Sequence, residues 1–573
     1  MQQISLRAML LTALILWGFL FSGMAQDTPQ AFAMLKERGE VYFRFQPNGN
    51  EQFDDFSLML SLDYYDPDQG WMYTYANQHE FEAFLKTGLP WEMLVPPGLA
   101  VDKNTINMLS VVNVEDIDSW AFYPTYEAYE SMMEQYEALY PDLFQRIELT
   151  TLASGRKIIF GKITAQVNQE HTRPRVMYTS TMHGDETTGF NLLLRFIHFL
   201  LSNYGEDDAI THMLDNLEIW ICPNENPDGT YRNDNSTLVG ATRSNLAGVD
   251  LNRNYPNPVQ NPDTPIQAET QAMIELAGTY DFVLSANMHG GIECVNYPWD
   301  SWRSTVRTHA DHTWWQFVMH EYADTARFYS PANYMNPSGP SFNNGVTHGG
   351  DWYVVYGSRQ DYMNYYAHLR EFTLELSNTK LLPTALLPDH WEYNYRSFLN
   401  YLRQALYGIR GTITDVNTGE PIRALVELSG YDKDNSWVYS SAENGTFNRP
   451  LPAGNYTLKV SAMGYPAYTK TNVQVQYYQT TWLDVKLGTP VGIEENQPGF
   501  TWQISPNPAS DHLQIMGIQE EVIIKIINLN GQILMSKKAQ GNYRLGLEDL
   551  PAGAYILQIV GNQQVYNHKW IKK

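Results

Sequence analysis

Hydrophobic and polar positions recur with different periods along this chain, and each change of period marks a new part. Between Thr28 and about Asp118, the stretches Glu40 to Phe45, Ser57 to Tyr64 and Gly70 to Tyr75 alternate with the two-residue period of a strand. His79 to Thr87 carries a short helical pattern and Trp91 to Val95 a further strand, and Val95-Pro-Pro-Gly98 breaks the run. The block predicts a small α+β module with no cluster of reactive side chains of its own. From Tyr123 the texture is different. Thr125 to Tyr140 predicts an amphipathic helix with Tyr126, Met133, Tyr136 and Leu139 on one side. Strand patterns at Ile159 to Ile163, Arg175 to Thr181, Leu217 to Pro223, Phe282 to Met288 and Phe372 to Leu376 then alternate with helical ones. The helical patterns follow Glu186, run through Gln267 to Leu276, and close with His390 to Leu406. Such alternation predicts an α/β domain, a sheet with helices on both faces.

The helical period stops at Gly408. Ile409 to Thr414, Leu425 to Leu428, Trp437 to Ser440, Tyr456 to Ser461 and Trp482 to Lys486 are short strands separated by turn signals, the pattern of a small β-sandwich. A polar linker follows, and Thr501 to Lys573 reads as a second all-β module. Its turn Pro551-Ala-Gly-Ala-Tyr555 echoes Pro452-Ala-Gly-Asn-Tyr456. The predicted division is a signal peptide over 1–25, the N-terminal module over 26–118, the α/β domain over 119–407, the first sandwich over 408–488, a linker over 489–500 and the C-terminal β-domain over 501–573.

Length and composition fit this division. A chain of 573 residues is too long for one core. The formal net charge of −25 argues against a nucleic-acid partner, whose phosphates select basic surfaces. At the N-terminus, Arg7, the apolar run Met9 to Phe21 and the small residues Gly23 and Ala25 form a secretory signal pattern too short for a membrane span. No later stretch is long and apolar enough to span, so an exported protein with no transmembrane segment is expected. The two cysteines, Cys222 and Cys294, allow one disulfide but no disulfide framework, and read as buried thiols near strand ends.

The candidate chemistry lies at strand ends, where open α/β sheets bind ligands. His183 and Glu186 follow the strand pattern of Arg175 to Thr181 with the short spacing that lets two metal ligands converge from one loop. In a chain with 14 histidines that pair alone is weak. It sharpens at Asn287-Met-His-Gly-Gly291, where His289 ends a second strand and can supply the third of the three protein ligands of a catalytic zinc site. Glu375 interrupts the apolar strand Phe372 to Leu376, opposite in face to Leu374 and Leu376 and on the face of Thr373. A carboxylate there costs free energy unless paired or used, which makes it a candidate general base. Asn252 and Arg253, in Asp250-Leu-Asn-Arg-Asn254, offer the two-pronged donor geometry that holds a free carboxyl terminus.

Taken in order, HGDE, NPDG, GVDLNRNYP, NMHGG…NYPWD, DWYVVYGSRQDY and EFTLELS resemble the zinc metallocarboxypeptidases of the carboxypeptidase A clan, peptidase family M14. Within it the chain is most similar to the regulatory N/E-type group, which carries a transthyretin-like module directly behind its catalytic domain. The resemblance covers Tyr123 to Gly488. It implies one Zn²⁺ per chain on His183, Glu186 and His289, with Glu375 as base and acid. Arg243 would polarise the scissile carbonyl, Asn252 and Arg253 would bind the terminal carboxylate, and Tyr353 would close over the substrate. Asp300 stands where this group receives a basic terminal side chain, so the implied function is removal of C-terminal Lys or Arg from peptides and proteins. Gln360 stands where the pancreatic basic-specific enzymes use Asp. Two departures are Asp185, where the family often has Asn or Arg, and Ser301-Trp302, where more acids usually follow. A same-fold hydrolase of cell-wall peptides and a non-catalytic peptide-binding relative are the alternatives. The tail, with Ile504-Ser-Pro-Asn-Pro-Ala-Ser-Asp511, VIIKIINLNGQIL and LPAGAYILQI, resembles the sorting domain of bacterial type IX secretion. That implies export through periplasm and outer membrane, a secretion machinery as partner, and a secreted or surface-attached product. The N-terminal module is either an inhibitory pro-segment or an appendage.

Overall fold

The computed structural model describes residues 28–49, 53–66, 69–488, 503–518, 520–529, 531–561 and 565–573. The signal pattern and the predicted linker lie outside them. The chain forms two compact units. The first takes in the N-terminal module, the α/β domain and most of the first sandwich, through residues 421–460 and 469–485; the second holds the tail, with residues 414–420 and 461–468.

The N-terminal module begins with a helix over residues 28–38, followed by β1 (Val41–Phe45), α1 (Phe53–Met59), β2 (Ser61–Asp66), β3 (Trp71–Ala76), α2 (Gln78–Leu85) and β4 (Trp91–Met93). The strands form one sheet in the order β2-β3-β1-β4. Its core is aromatic, built on Phe43, Phe45, Phe56, Phe81, Phe84 and Trp91. The strand expected over Ser57 to Tyr64 is instead the end of α1 followed by β2. Asp54 and Asp55 in the first turn of α1 favour the helix dipole, and Phe56 reaches the core, so the apparent alternation there spans a helix-to-strand junction. α2 is fixed by a capping box, with Asn77 and Glu80 bonded to each other's backbone N–H.

The α/β domain opens with α3 (Tyr126–Leu139) and continues through β5 (Phe144–Thr151), β6 (Lys157–Ile163), β7 (Arg175–Ser180), α4 (Thr188–Ser202), α5 (Asp208–Asn216) and β8 (Glu218–Cys222). Next come α6 (Ala268–Thr279), β9 (Phe282–His289), β10 (Glu293–Tyr297), α7 (His312–Phe328), β11 (Val346–His348), α8 (Gly349–Trp352), α9 (Arg359–Tyr365), β12 (Arg370–Leu376) and α10 (Leu387–Arg403). The eight-stranded sheet runs β11-β10-β12-β9-β7-β8-β6-β5. Its centre, β8-β7-β9-β12, is parallel, and β6 and β10 join antiparallel on either side. Central strands are covered on both faces, so β8 and β9 are buried along their whole length. One face packs against α3, α4, α7 and α10 through Phe190, Leu193, Ile197, Trp315 and Phe398; the other packs against α6 and α9 through Met177, Trp220, Met273 and Met363.

The first sandwich pairs two four-stranded sheets. One is formed by β13 (Gly408–Asp415), β16 (Thr446–Arg449), β19 (Thr480–Trp482) and β20 (Val485–Leu487); the other by β14 (Leu425–Leu428), β15 (Val438–Tyr439), β17 (Gly454–Ser461) and β18 (Tyr468–Val475). The tail is a second sandwich. Its sheets are β21 (Gln503–Ser505), β22 (His512–Met516) and β25 (Tyr543–Gly546), and β24 (Ile533–Ala539), β23 (Val522–Ile527), β26 (Gly553–Val560) and β27 (Val565–Lys572). Cys222 and Cys294 are both buried free thiols.

Candidate active site

The site assembles at the carboxyl ends of β7, β9 and β12. β7 ends at Ser180, and Thr181 turns the chain with φ of 63°, a left-handed conformation unusual for a β-branched residue. That turn throws His183 off the strand. Gly184 then passes so close to the NPDG turn that a Cβ would lie 2.3 Å from the Gly229 carbonyl carbon, so only glycine fits. Glu186 follows just before α4. From the neighbouring strand, the β9–β12 register sets His289 opposite Glu375 and Asn287 opposite Thr373. The two distant motifs are therefore brought together by sheet pairing alone.

His183, Glu186 and His289 are buried and offer one ligand atom each within 4.8 Å of one another. Their closest approaches are tighter. The two Nδ1 atoms are 3.0 Å apart, and Glu186 Oε2 lies 3.0 Å from that of His183 and 2.8 Å from that of His289. The far side of each ring decides what these atoms can be. His183 Nε2 faces Asp250 Oδ1 at 3.0 Å, an acceptor only, so the proton sits on Nε2. His289 Nε2 faces Asn287 Oδ1, whose amide nitrogen is committed to Glu371 Oε1 at 3.0 Å, so this ring too donates from Nε2. Both Nδ1 atoms then present lone pairs toward each other and toward a carboxylate. Three acceptors converging with no proton between them fit a cation, and two imidazoles with one carboxylate suit zinc.

Around this centre lie the other predicted residues. Glu375 is half-buried, and its Oε2 is buried with no hydrogen-bond partner. Burial first, and the charge of Glu186 second, push its carboxyl well above the usual range. Arg243 donates from Nε to Asp250 Oδ2 at 3.0 Å and from Nη1 to Glu186 Oε1 at 3.2 Å. One cavity of about 30 Å³ is lined by the His-Glu-His cluster, Arg243, Asn252, Tyr353 and Glu375. A second, also about 30 Å³, joins Asn252, Arg253, Tyr353 and Glu375 to Asn296 and Asp300. Arg253 is the most telling residue there: Nε and Nη2 are buried and unpartnered, donors with nothing to hold. Asn252 accepts the Arg359 backbone N–H, which fixes its side chain. Asp300 Oδ1 accepts from Gln360 at 2.9 Å and Asn296 at 3.2 Å, and a Cβ on Gly349 would lie 2.0 Å from that oxygen. All nine predicted residues thus line these two spaces, which share Asn252, Tyr353 and Glu375. A larger cavity of about 280 Å³ lies at the other end of the strands, around Arg175, Phe282 and Arg370, and holds none of them.

Several participants were not singled out from sequence. Asp250 ties His183 to Arg243, and its place inside the GVDLNRNYP motif was the available signal. Asn287 leads from His289 to Glu371, which pairs with the wholly buried Arg359, itself paired with Glu225. An arginine between two buried carboxylates leaves no periodic trace. Lys380 donates to Glu186 Oε1 at 2.8 Å and pairs with Asp63 of the N-terminal module at 2.8 Å. Asp185, the departure between the ligands, accepts from Tyr75 of the same module at 2.7 Å.

Residues 129–397 match the family model for zinc carboxypeptidase, 408–488 that for a carboxypeptidase regulatory-like domain, and 503–573 that for a secretion system C-terminal sorting domain. Mouse carboxypeptidase M is 32% identical over 335 residues, which are 56% of this chain and 75% of that protein. The chain belongs to the zinc carboxypeptidase family. Human carboxypeptidase D is 30% identical over 395 residues, 67% of this chain but only 28% of that much longer protein. Among solved structures, carboxypeptidase A from Helicoverpa armigera is 18% identical, covering 64% of this chain and 97% of that one with a TM-score of 0.48. Membership of this family implies zinc, in agreement with the donor set. No helix among the described residues is long and apolar enough to cross a membrane.

Proposed function

We propose that this protein is a zinc-dependent exopeptidase that removes the C-terminal residue, Lys or Arg by preference, from peptides and proteins. One observation carries the reading. The unpartnered Nε and Nη2 of Arg253 and the unpartnered Oε2 of Glu375 border the same small space, next to three converging donor atoms. His183, Glu186 and His289 hold one Zn²⁺ per chain. The zinc, when bound, supplies Lewis acidity and acidifies water. Arg253 and Asn252 take the substrate's terminal carboxylate, which only a chain end provides, and so fix the scissile bond over Glu375. Glu375 removes a proton from the attacking water and returns it to the leaving amine. Arg243 donates to the carbonyl oxygen as negative charge develops there; loss of such a donor costs about 100- to 1,000-fold in rate. Tyr353 closes the space over the terminal residue, and Asp300 meets its cationic end.

The remaining parts accord with the same reading. Residues 1–25 are a signal peptide, 26–118 an N-terminal module, 119–407 the catalytic domain, 408–488 a transthyretin-like sandwich, 489–500 a linker and 501–573 the sorting domain. The sorting domain engages a type IX secretion machinery, which takes the protein across the outer membrane to the medium or the cell surface.

The test is release of the last residue from peptides that differ only there, Arg against Leu, with and without a zinc chelator, before and after the N-terminal module is cut away. Chelator-sensitive release favouring Arg is expected. Release favouring Leu would keep the exopeptidase and reject the Asp300 pocket. No release from either form would reject the exopeptidase.

A further inference from the structure

A cavity of about 280 Å³ lies at the strand ends away from His183 and Glu375, between the α/β domain and the first sandwich. Bonds that cross from one part to the other fix its walls. Arg175 Nη2 donates to Glu443 at 3.2 Å, and Arg423 Nη1 to Asp281 at 2.9 Å. Asn444 Nδ2 donates to the His171 carbonyl at 3.2 Å, and His368 Nδ1 to that of Asn435 at 2.8 Å. Walls tied from both sides give a preformed space, and ligand sites favour such junctions between domains. The cavity opens to solvent past Gly278, Tyr366 and Arg423, which are exposed.

Its wall reverses the charge balance of the molecule. The chain has 63 Asp and Glu against 38 Lys and Arg, whereas four arginines and one carboxylate, Asp281, line this space. Two of the arginines are committed, Arg175 to Glu218 and Glu443 and Arg370 to Asp311. Arg173 and Arg423 are not. Each spends only Nη1 on the protein. Arg173 uses it on Thr164 Oγ1 at 2.6 Å and the Ala165 carbonyl at 2.5 Å, and Arg423 on Asp281 and the Ser440 carbonyl. That leaves the Nε–Nη2 edge of each, the edge that grips a carboxylate or phosphate with two parallel bonds. Arg173 forms no ion pair among the described residues, and burial works against its charge. An anion beside it offsets that cost.

We propose that this cavity binds an acidic sugar, a hydroxylated ring bearing one carboxylate or phosphate. The free arginine edges take the acid group. Tyr280, Tyr366, Tyr439 and Asn448 line the space as partners for ring hydroxyls, and Pro174, Ala277 and Pro450 give the C–H faces of the ring a surface to pack on. Two of these rings are themselves fixed, Tyr280 under Arg175 and Tyr439 under Arg423, with guanidinium carbons 5.4 and 5.1 Å from the ring centres. A plain hydrocarbon acid would leave the polar groups unpaired. Size agrees as well: a dry cavity of about 150 Å³ takes a benzene, so this one takes roughly a dozen heavy atoms, a monosaccharide with its acid group.

The test reads binding without turnover, so it stands apart from the exopeptidase reading. Glucuronate, glucose 6-phosphate, glucose and benzoate are each titrated into the zinc-loaded full chain in a calorimeter. One acidic sugar per chain should bind, at about 1 mM or tighter for a ligand of this size. Glucose, which lacks the acid, and benzoate, which lacks the hydroxyls, should bind at least about tenfold more weakly. R173Q and R423Q should each weaken the acidic sugar about tenfold. K86Q, which removes an exposed charge elsewhere, and R253Q, at the catalytic clamp, should bind it as the parent does. Denaturant midpoints check that each variant is folded, and R173Q decides alone if loss of the Asp281 pair unfolds R423Q. Binding of glucuronate alone or of glucose 6-phosphate alone would keep the site and name its acid group. Saturation by neither below about 10 mM, or binding unchanged in folded R173Q, would overturn the site. Benzoate as tight as the sugars would overturn the sugar.

Discussion

At the scale of single residues, the site is defined by groups that lack what they are built to bind. Glu375 carries a buried oxygen without a partner, and burial with the nearby Glu186 charge raises its proton affinity. Replacing it with glutamine keeps the shape and removes the base. E375Q should lose about 100- to 10,000-fold in kcat while holding its zinc, checked by metal analysis on the same sample. Loss of metal together with activity would assign Glu375 to the donor set instead. Asp300 makes a second, pH-dependent case. Burial and then the charge of Asp300 push Asp361 up to about 8, and burial also raises Asp300 itself. Asp361 Oδ1 accepts the Asp300 backbone N–H at 2.8 Å, which holds the two residues side by side. A proton held by this pair weakens its pull on a cation and is lost as pH rises through that value. The ratio of kcat/KM for Arg-ended over Leu-ended peptides should therefore climb between about pH 7 and 9 and then level off. Taking the ratio cancels the titration of groups common to both substrates. A flat ratio would detach Asp300 from the choice of terminal residue.

At the scale of elements, precision comes from close backbone approach and from sheet register. Gly184 lets the His183 loop lie against the NPDG turn, and a methyl group there would meet the Gly229 backbone at 2.3 Å. G184A should cost about 1–3 kcal/mol of stability and weaken zinc binding, since the loop must lift and carry His183 with it. Denaturant unfolding and a zinc titration check the two effects; wild-type zinc affinity in a destabilised variant would mean that the loop yields elsewhere. The same elements mark what was legible in the sequence. Buried strands such as β7, β9 and β12 declare themselves by apolar runs, and the reactive side chains stand at or just past their ends, so the sequence alone places His183, His289 and Glu375. Paired turns were legible too: Tyr456 and Tyr555 each donate a hydroxyl to the carbonyl of the proline four residues earlier, Pro452 and Pro551, at 2.8 Å. The strand over Ser57 to Tyr64 was misread because seven residues of α1 are too few for a helical period to outweigh chance alternation. Asp63, Tyr75 and Lys380 escaped because nothing local distinguishes a residue that crosses to another part of the fold.

On the scale of the whole molecule, the α/β domain is joined to the sandwich behind it by charge as well as by surface. Asp311, at the start of α7, is buried and accepts from Arg370 Nε at 2.8 Å. It also receives both terminal nitrogens of Arg449, at 2.7 and 2.9 Å, from the end of sandwich strand β16. Asp432 closes the cluster on Arg449, and burial opposed by both arginines leaves the Asp311 carboxyl below its ordinary range. A buried pair of this kind contributes little beyond what apolar packing would give, but removing one partner strands the other charge. Among the described residues, Arg449 is the sandwich side chain bonded to Asp311, and Arg370 alone would be left to neutralise it, with Asp432 uncovered on the far side. R449M should therefore lower stability by about 3–5 kcal/mol, read as a drop in the denaturant midpoint of the transition that unfolds the α/β domain. His183, Glu186, His289 and Glu375 lie at the opposite ends of the strands from Arg370, so the folded fraction should retain its zinc and its turnover per molecule. A loss below about 1 kcal/mol would mean that the sandwich and the α/β domain hold together through their apolar contacts and that the ion cluster is incidental. The predicted loss with turnover intact would make the sandwich a support for the catalytic domain's fold rather than a part of its chemistry.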